Sequence, residues 1–225
     1  MIDSGYSVIF DMDGVLVDNR AMHTQAWHDM AVRLGLPFDE KRFTAEMFGR
    51  TNPAILRGLY GYDLPAADVE RLAGEKEALY REIHRGRVLP TAGLASFLDA
   101  LRADGATLAV ATSAPRANLD FFMGETGLRG YFQVLVDVDQ VKNGKPDPEI
   151  YLRAAQALRR PPRRCVAVED SLPGVASALA AGMKVVAVTT THPASELAAA
   201  HLAVADFRGL TPAAVRALLE SDEKA

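Results

Sequence analysis

Short apolar runs alternate with helical patterns over most of the chain outside residues 19–87. The apolar runs are three to five residues long, are bounded by glycine or polar residues, and predict buried strands. They lie at residues 8–10, 107–111, 132–136, 165–168, 184–188 and 202–204. Apolar residues at helical spacing lie at residues 92–103, 115–127, 149–158, 171–181, 194–200 and 212–220. Strands that alternate with helices predict an α/β fold with a doubly wound parallel sheet, a Rossmann-like core.

Residues 19–87 show helical patterns and no strand pattern. Predicted helices lie at residues 20–34, capped by Asp18 or Asn19, in a short segment that ends near Gly49, and at residues 52–61 and 66–85. The charged run at residues 70–85 mixes both signs and predicts a solvated helix face. A crossover between parallel strands normally carries a single helix. We therefore predict an α/β core of residues 1–18 and 88–225, with a helical cap domain of residues 19–87 inserted after the first strand.

Composition narrows the classes of partner. The chain has 225 residues, 49% apolar and 24% charged, which is typical of a soluble globular protein. A formal net charge of -4 gives no reason to expect nucleic acid or an anionic membrane as a partner. No apolar run reaches the roughly 20 residues that cross a bilayer, and no secretion signal pattern is present, so we predict a cytoplasmic protein. Cys165 is the single cysteine and is expected to be a buried thiol, and a monomer is expected.

Polar side chains follow several of the predicted strands. They are Asp11 and Asp13 after residues 8–10, Thr112 and Ser113 after residues 107–111, and Glu169 and Asp170 after residues 165–168. Lys145 lies in the polar loop after the strand at residues 132–136. Because the carboxyl ends of parallel strands lie along one edge of a sheet, we expect these groups to converge. Placing two carboxylates at the end of a buried strand costs free energy unless they serve a function. A helix cap at this position would need only one of the two.

The residue types at this edge favour phosphoryl transfer. Carboxylates that gather without a counter-charge repel one another, and a hard divalent cation with oxygen ligands resolves the repulsion, so we predict Mg²⁺. The sequence has no histidine and cysteine cluster of the kind that zinc needs. A cation, a lysine and a hydroxyl can clamp a phosphoryl group, while one carboxylate acts as nucleophile and another moves a proton. The predicted partner is a small phosphorylated substrate.

Four stretches resemble the four motifs of the haloacid dehalogenase superfamily. They are DMDGVLVD at residues 11–18, the strand end at Thr112, GKPDPEIY at residues 144–151 and VEDSLPGV at residues 168–175. The resemblance covers residues 6–18 and about 88–190, and its first and fourth motifs are specific whereas the second is weak alone. The helical insert resembles the cap of the phosphoglucomutase-like branch of that superfamily.

The resemblance implies a role for each catalytic position. Asp11 would attack phosphorus and become an aspartyl phosphate. Asp13 would protonate the leaving alcohol and then activate water. Thr112 would bind a phosphoryl oxygen, and Lys145 would neutralise the phosphate and Asp11.

The resemblance also implies the metal ligands. Mg²⁺ would be held by Asp11, by the main-chain carbonyl of Asp13 and by Asp170. Glu169 would orient water on the metal. The cap would close over the substrate and exclude water.

Five residues are candidates for contact with the substrate. They are Ser113 beside Thr112, His23, Arg50 and Asn52 in the cap, and Arg116. His23 lies one turn past the first motif, and it either reaches the site or is packed or solvated on its helix. Arg50 lies on a glycine-flanked loop, and it faces either the substrate or solvent.

Several features of the sequence argue against neighbouring activities. Asp13 argues against the dehalogenase branch, which lacks this second aspartate. Neither Lys41 nor Lys76 matches the imine-forming cap lysine of the phosphonate-cleaving members. A receiver-like phosphorylated switch without a substrate is disfavoured, because the helical insert and Asp13 have no place in it.

The remaining choice lies between a phosphatase and a sugar-phosphate mutase. A well-studied mutase type has a Ser-Lys pair after the second motif, where this chain has Ala114 and Pro115. The same mutase has a cap arginine where Asn52 lies here, although Arg116 could substitute with a small shift. We predict a phosphatase of small phosphorylated metabolites, sugar phosphates in particular, with a β-phosphoglucomutase-type mutase as the alternative.

Overall fold

The computed structural model describes residues 5–47 and 50–220. The chain divides into two compact units, one made of Met1–Asp18 and Val88–Ala225 and the other of Asn19–Arg87. This division falls at the residue boundaries that the sequence predicts. The roles of the two units as catalytic core and cap stay predictions.

The Asn19–Arg87 unit is helical. Its elements are α1 at Arg20–Arg33, α2 at Glu40–Arg42, a π-helical turn at Phe43–Met47, α3 at Asn52–Tyr60 and α4 at Ala66–His84. Gly61 ends α3, because its φ of 76° is left-handed and cannot continue the helix. The predicted helix end at Gly49 lies outside the described residues. One apolar cluster holds the unit together: Trp27, Met30, Phe43, Met47, Ile55, Leu56, Leu72 and Leu79.

In the described part of the other unit, six parallel strands form one sheet. They are β1 at Ser7–Phe10, β2 at Thr107–Ala111, β3 at Val134–Val136, β4 at Cys165–Glu169, β5 at Lys184–Val188 and β6 at Leu202–Val204. Their order is β3-β2-β1-β4-β5-β6, which confirms the predicted doubly wound parallel sheet. Phe10 of β1 pairs with Val168 of β4, so the residues that follow these two positions lie side by side.

Helices cover both faces of this sheet. They are α5 at Leu94–Ala103, α6 at Arg116–Thr126, α7 at Glu149–Ala157, α8 at Leu172–Ala180 and α9 at Pro212–Glu220. Side chains alternate along a strand, so Val8 and Phe10 join the apolar cluster of α5, α6 and α9, whereas Ile9 joins that of α7 and α8. Within residues 5–47 and 50–220, no helix combines the length and apolar character that a bilayer-crossing segment requires.

Two local predictions in the α/β unit are wrong in detail. Residues 194–200 form turns instead of a helix, since Leu197 docks into the core and the chain then continues into β6. The helix predicted from residue 92 begins at Leu94, because Gly93 has a φ of 79° and lies against the backbone of Arg208.

Candidate active site

Three carboxylates meet where β1 and β4 end. Asp11 follows β1, Glu169 ends β4 and Asp170 comes next, and one carboxylate oxygen of each lies within 4.8 Å of the others. The amide of Asp11 donates to the carbonyl of Val168 at 2.9 Å, which extends the strand pairing by one residue and fixes Asp11 beside β4. All three acids are buried. Adjacent parallel strands therefore gather acids that are far apart in sequence.

The ammonium group of Lys145 lies among these carboxylates. Its Nζ is 2.9 Å from Asp11 Oδ1 and 2.5 Å from Glu169 Oε1, and it donates to the carbonyl of Ala111 at 3.1 Å. The Lys145 side chain is 6% exposed, so salt in the solvent screens these ion pairs little. The structure thus brings the predicted lysine and three predicted acids together at one edge of the sheet.

One lysine leaves this group of carboxylates with excess negative charge. Burial raises the pKa of Asp11 to about 7; Lys145 opposes this rise, while the charges of Glu169 and Asp13 add to it. Burial, followed by the charges of Glu169 and Asp11, raises the pKa of Asp170 well above its usual value. Burial lowers the pKa of Lys145, but the charges of Asp11 and Glu169 outweigh it and raise that pKa above its ordinary value. The site therefore holds a permanent ammonium beside carboxylates that lack enough positive charge.

The donor set fits a hard divalent cation such as Mg²⁺. It consists of oxygen atoms, and its excess negative charge is what such a cation neutralises. Gly14 leaves the necessary room, since its φ is 78° and a Cβ there would lie 1.9 Å from Asp170 Oδ2. The hydroxyl of Thr191 donates to the same Oδ2 atom, and the hydroxyl of Thr190 donates to the carbonyl of Gly14. The strand-end argument applies to both threonines, which follow β5, but the sequence reasoning missed them.

Glu169 is held by donors of the chain on both of its oxygens. Oε1 accepts from Lys145 at 2.5 Å and from the hydroxyl of Tyr151 at 2.6 Å. Oε2 accepts from the amide of Asp170 at 3.1 Å and from the amide and hydroxyl of Ser171 at 3.4 and 3.1 Å. A Cβ at Gly174 would lie 2.0 Å from this carboxylate, so α8 begins directly against it. These contacts fit an anchoring role for Glu169, and its predicted action on a metal-bound water stays a prediction.

The other predicted residues of the first two motifs differ in exposure. Thr112 is 1% exposed, and its Oγ1 accepts from the amide of Ala114 at 3.0 Å, which leaves the hydroxyl proton to donate to a ligand. Asp13 is half-buried, and its charge contributes to the raised pKa of Asp11. The Asp13 carboxylate is outside the group of three that lies within 4.8 Å, so its main-chain carbonyl stays the predicted ligand. Ser113 is exposed.

The two arginines proposed for substrate contact are both exposed. In the helical unit, the amide of Arg50 donates to the carbonyl of Met47 at 3.1 Å, and its side chain is open to solvent. In the α/β unit, Arg116 Nε donates to both Asp120 oxygens at 2.8 and 2.9 Å, and its guanidinium is 3.7 Å from the buried Asp137. Arg116 would have to leave these acids to grip a phosphate.

His23 and Asn52 belong to a buried polar network within the helical unit. Lys76 Nζ is 2.9 Å from His23 Nδ1 and 2.9 Å from Glu77 Oε1, and Asn52 donates to the same Glu77 oxygen at 2.8 Å. The His23 ring stacks on Tyr80, with centroids 4.1 Å apart. An ammonium can only donate, so His23 Nδ1 accepts from Lys76. The network therefore holds His23 and Asn52, two of the predicted substrate residues, against the buried Lys76–Glu77 ion pair.

The prediction of a solvated face for residues 70–85 is wrong at this pair. Lys76 is 2% exposed and Glu77 is 8% exposed. The Lys76 ammonium lies 5.4 Å from the ring centroids of both Trp27 and Tyr80, so aromatic rings replace part of its hydration. Asn19 occupies the N-cap position of α1 as predicted but makes no capping bond, because its side chain is hydrogen-bonded to the Tyr80 hydroxyl.

Comparison with known proteins finds related sequences and structures. The family model described as haloacid dehalogenase-like hydrolase matches residues 7–182. The phosphorylated carbohydrates phosphatase of Thermotoga maritima is 34% identical over 181 residues, which are 79% of this chain and 82% of that protein. The chloroplastic 5-amino-6-(5-phospho-D-ribitylamino)uracil phosphatase of Arabidopsis thaliana is 30% identical over 95% of this chain, which spans 58% of that relative. The crystal structure of a HAD hydrolase, family IA, variant 3, from Entamoeba histolytica matches with a TM-score of 0.90 and 28% identity, covering 96% of this chain and 100% of that chain.

Proposed function

This chain belongs to the haloacid dehalogenase-like hydrolases, and from that premise we propose that it is a Mg²⁺-dependent phosphatase of small phosphorylated metabolites, sugar phosphates in particular. The observation that carries the proposal is the Lys145 ammonium held between Asp11 and Glu169 at the edge where the strands end. A fixed positive charge beside a buried carboxylate is suited to phosphoryl transfer, which depends on positioning and charge stabilisation. The names of the two curated relatives above, both phosphatases, support the same class of reaction.

In the first step, Asp11 acts as the nucleophile. One of its carboxylate oxygens forms a bond to phosphorus while the bond from phosphorus to the ester oxygen breaks. Asp13, protonated at this stage, gives its proton to the leaving oxygen, so the alcohol departs neutral. Lys145 and the Thr112 hydroxyl hold the phosphoryl oxygens during this transfer. The product is an aspartyl phosphate on Asp11.

In the second step, the aspartyl phosphate is hydrolysed. Asp13, now a carboxylate, accepts a proton from water as the water oxygen bonds to phosphorus. The bond between phosphorus and the Asp11 oxygen breaks, which releases inorganic phosphate and restores the Asp11 carboxylate. Lys145 stays charged throughout, because the two carboxylates beside it raise its pKa above the ordinary value.

Asp11, Asp170 and the main-chain carbonyl of Asp13 are the groups that would hold Mg²⁺. When bound, the metal supplies positive charge that neutralises the phosphoryl oxygens and the surrounding carboxylates. Gly14 and Thr191 prepare the position of the Asp170 carboxylate for this role, the first by leaving space and the second by a hydrogen bond.

A mutase would need residues that bind a second phosphate, and the described contacts after β2 do not favour such a site. The amide of Ala114 is bonded to Thr112 Oγ1, Pro115 has no amide proton, and Arg116 is paired with Asp120. These contacts support hydrolysis over isomerisation. An assay separates the two, because a mutase converts β-glucose 1-phosphate to glucose 6-phosphate with little free phosphate.

The test is phosphate release with Mg²⁺ from a panel of sugar phosphates and other small esters. The panel includes β-glucose 1-phosphate, with and without glucose 1,6-bisphosphate, with glucose 6-phosphate measured separately. We expect free phosphate from several esters and no isomer. Glucose 6-phosphate formed without free phosphate would contradict the proposal and favour the mutase.

Asp11→Asn tests the nucleophile directly. We expect it to fold and to lower kcat on the order of 10³-fold or more, because the amide is not a nucleophile for phosphorus. Asp99→Asn is the matched control, since Asp99 is an acid of the same unit that accepts a hydrogen bond from the Tyr131 hydroxyl at the surface. Turnover that survives in Asp11→Asn, measured beside an unchanged Asp99→Asn, would rule out Asp11 as the nucleophile.

A further inference from the structure

Tyr151 lies on α7, and its hydroxyl reaches the acidic group from the buried side. The side chain has no solvent exposure, and its hydroxyl donates to Glu169 Oε1 at 2.6 Å. The same oxygen accepts from Lys145 at 2.5 Å. One carboxylate oxygen thus binds two donors, of which one is the ammonium that also faces Asp11.

The position of Lys145 depends on its attraction to three oxygen atoms, of which the Asp11 oxygen forms an ion pair and the other two accept hydrogen bonds. They are Asp11 Oδ1 at 2.9 Å, Glu169 Oε1 at 2.5 Å and the Ala111 carbonyl at 3.1 Å. The three acceptors lie in different directions from one nitrogen atom, so a movement of Nζ towards one of them weakens its attraction to the others. Glu169 is the nearest of the three, and any increase in its attraction draws the ammonium away from Asp11.

Tyr151 limits this attraction. A hydroxyl that donates to Oε1 takes up part of the negative charge on that oxygen and fixes its direction. The ring of Tyr151 also lies 5.1 Å from Lys145 Nζ, so the ammonium has an aromatic face on this side. The phenol therefore contacts both members of the Glu169–Lys145 pair.

We propose that Tyr151 is a positioning residue for phosphoryl transfer, whose hydroxyl restrains Glu169 Oε1 and so keeps the Lys145 ammonium shared between Glu169 and Asp11. The catalytic consequence rests on the proposed function, whereas the effect on Lys145 is a property of the chain alone. Without the hydroxyl, Oε1 loses a donor and binds the ammonium more strongly. Lys145 then moves from Asp11 and from the phosphoryl oxygens that it would neutralise.

Tyr6 supplies a matched control for the loss of the hydroxyl. It is 4% exposed, and its hydroxyl donates to an oxygen of Asp104 at 2.8 Å. Tyr6 belongs to the same unit but precedes β1, whereas the acidic group follows β1. Tyr6→Phe and Tyr151→Phe therefore remove the same kind of bond at opposite ends of the strand.

The kinetic test uses p-nitrophenyl phosphate with Mg²⁺. We expect Tyr151→Phe to lower kcat about tenfold with KM within about twofold, and Tyr6→Phe to match the wild type. If Tyr151 acts through Glu169, the double variant with Glu169→Gln loses no more activity than Glu169→Gln alone. A loss confined to KM, a loss shared by Tyr6→Phe, or a full addition of the two effects would overturn the proposal.

The second test needs no turnover. In ¹⁵N spectra of the metal-free protein, the Lys145 ammonium is assigned by its absence in Lys145→Met, and its proton exchange with water is measured. We expect slow exchange in the wild type and in Tyr6→Phe, and exchange at least about tenfold slower still in Tyr151→Phe, because Glu169 Oε1 binds the ammonium more strongly there. Unchanged or faster exchange in Tyr151→Phe would overturn the proposal. A wild type that hydrolyses no ester would instead refute the proposed function and leave this measurement intact.

Discussion

At Gly14 the backbone lies very close to the carboxylates of the candidate site. Its φ of 78° lies in the left-handed region, and a Cβ there would lie 1.9 Å from Asp170 Oδ2. Two independent constraints thus favour glycine, because the conformation strains any other residue and the carboxylate occupies the space. The position of the Asp170 carboxylate therefore depends on the absence of a side chain three residues after Asp11.

Gly14→Ala is expected to damage both stability and activity. The left-handed conformation alone should lower the free energy of unfolding by about 1–3 kcal/mol, and displacement of Asp170 should lower Mg²⁺-dependent phosphate release at least about tenfold. Gly105→Ala is the control, since Gly105 has a φ of 83° with nothing within 4 Å of a Cβ. Urea unfolding and phosphate release are measured on both variants. Equal activity in the two would show that the contact with Asp170 does not matter.

The residue types in the sequence predict Asp11 and Lys145 as members of this site but do not predict Tyr151. Asp11 and Lys145 were predictable because they follow buried strands, and the edge at which parallel strands end is a general property of the fold. Tyr151 was not, because it lies on the apolar face of α7 and has the pattern of an ordinary core aromatic. Its bond to Glu169 exists only because α7 packs on the face of the sheet that brings the hydroxyl to the end of β4.

At the scale of the element, α4 carries a charged pair on its buried side. Apolar spacing predicts the existence of α1, α3 and α4 to within a few residues, since that signal is local. The burial of Lys76 and Glu77 is not local. It depends on the ring of Trp27 from α1 and on Asn52 from α3, which lie opposite the pair. A run of mixed charges in the sequence therefore does not predict that one pair of those charges is buried.

The Glu77 carboxylate should make the helical unit less stable in acid. Burial alone raises the pKa of Glu77, but the Lys76 ammonium 2.9 Å away, together with His23 and the hydrogen bond from Asn52, holds that pKa below the ordinary value of 4.5. A group whose pKa falls on folding adds stability above its unfolded pKa and loses it as the pH falls through the folded value. We therefore expect urea stability, followed by Trp27 fluorescence, to fall as the pH drops below about 4.5.

Glu77→Gln tests the origin of this pH dependence. It should cost about 3 kcal/mol at pH 7, because Lys76 is left buried without its counter-charge, and it should flatten the acid decline. Glu75→Gln is the control, since Glu75 lies two residues away on α4 and pairs with Arg71 at the surface. A Glu77→Gln variant that keeps the wild-type decline would assign the pH dependence to other groups.

At the scale of the whole molecule, the alternation of strands and helices predicts a parallel sheet but not its strand order. The order β3-β2-β1-β4-β5-β6 places β1 next to β2 and β4, which follow it at long sequence distance. Each strand is similarly apolar, so the pattern of a single strand does not identify its neighbours. Packing of helices on both faces selects the order, and that information is distributed over the whole unit.

The two units each contain a natural probe of unfolding. The single tryptophan, Trp27, is 2% exposed in α1, and the single cysteine, Cys165, is fully buried in β4. Burial raises the pKa of the Cys165 thiol to about 12, so native protein at pH 8 should resist thiol reagents. Fluorescence reports the helical unit, and the rate of thiol labelling reports the α/β unit.

We expect Trp27 fluorescence to change at a lower urea concentration than Cys165 labelling. The helical unit has the smaller apolar cluster and carries the desolvated Lys76–Glu77 pair, so it should be the less stable of the two. Cys165→Ser, followed by fluorescence alone, checks that the reagent does not itself shift the transition. Coincident midpoints would show instead that the chain unfolds as one cooperative unit.

The central position of β1 has a consequence for the growing chain on the ribosome. β1 precedes the other described strands in the sequence, but its partners begin at Thr107 and Cys165. During translation, its apolar residues, which have no solvent exposure in the finished sheet, stay unpaired until both neighbouring strands are synthesised, and exposed apolar surface of this kind is prone to aggregation. Asp11 is synthesised before Asp170. A nascent chain that stops between them would carry the proposed nucleophile without one of the proposed metal ligands, so we expect no hydrolysis from it.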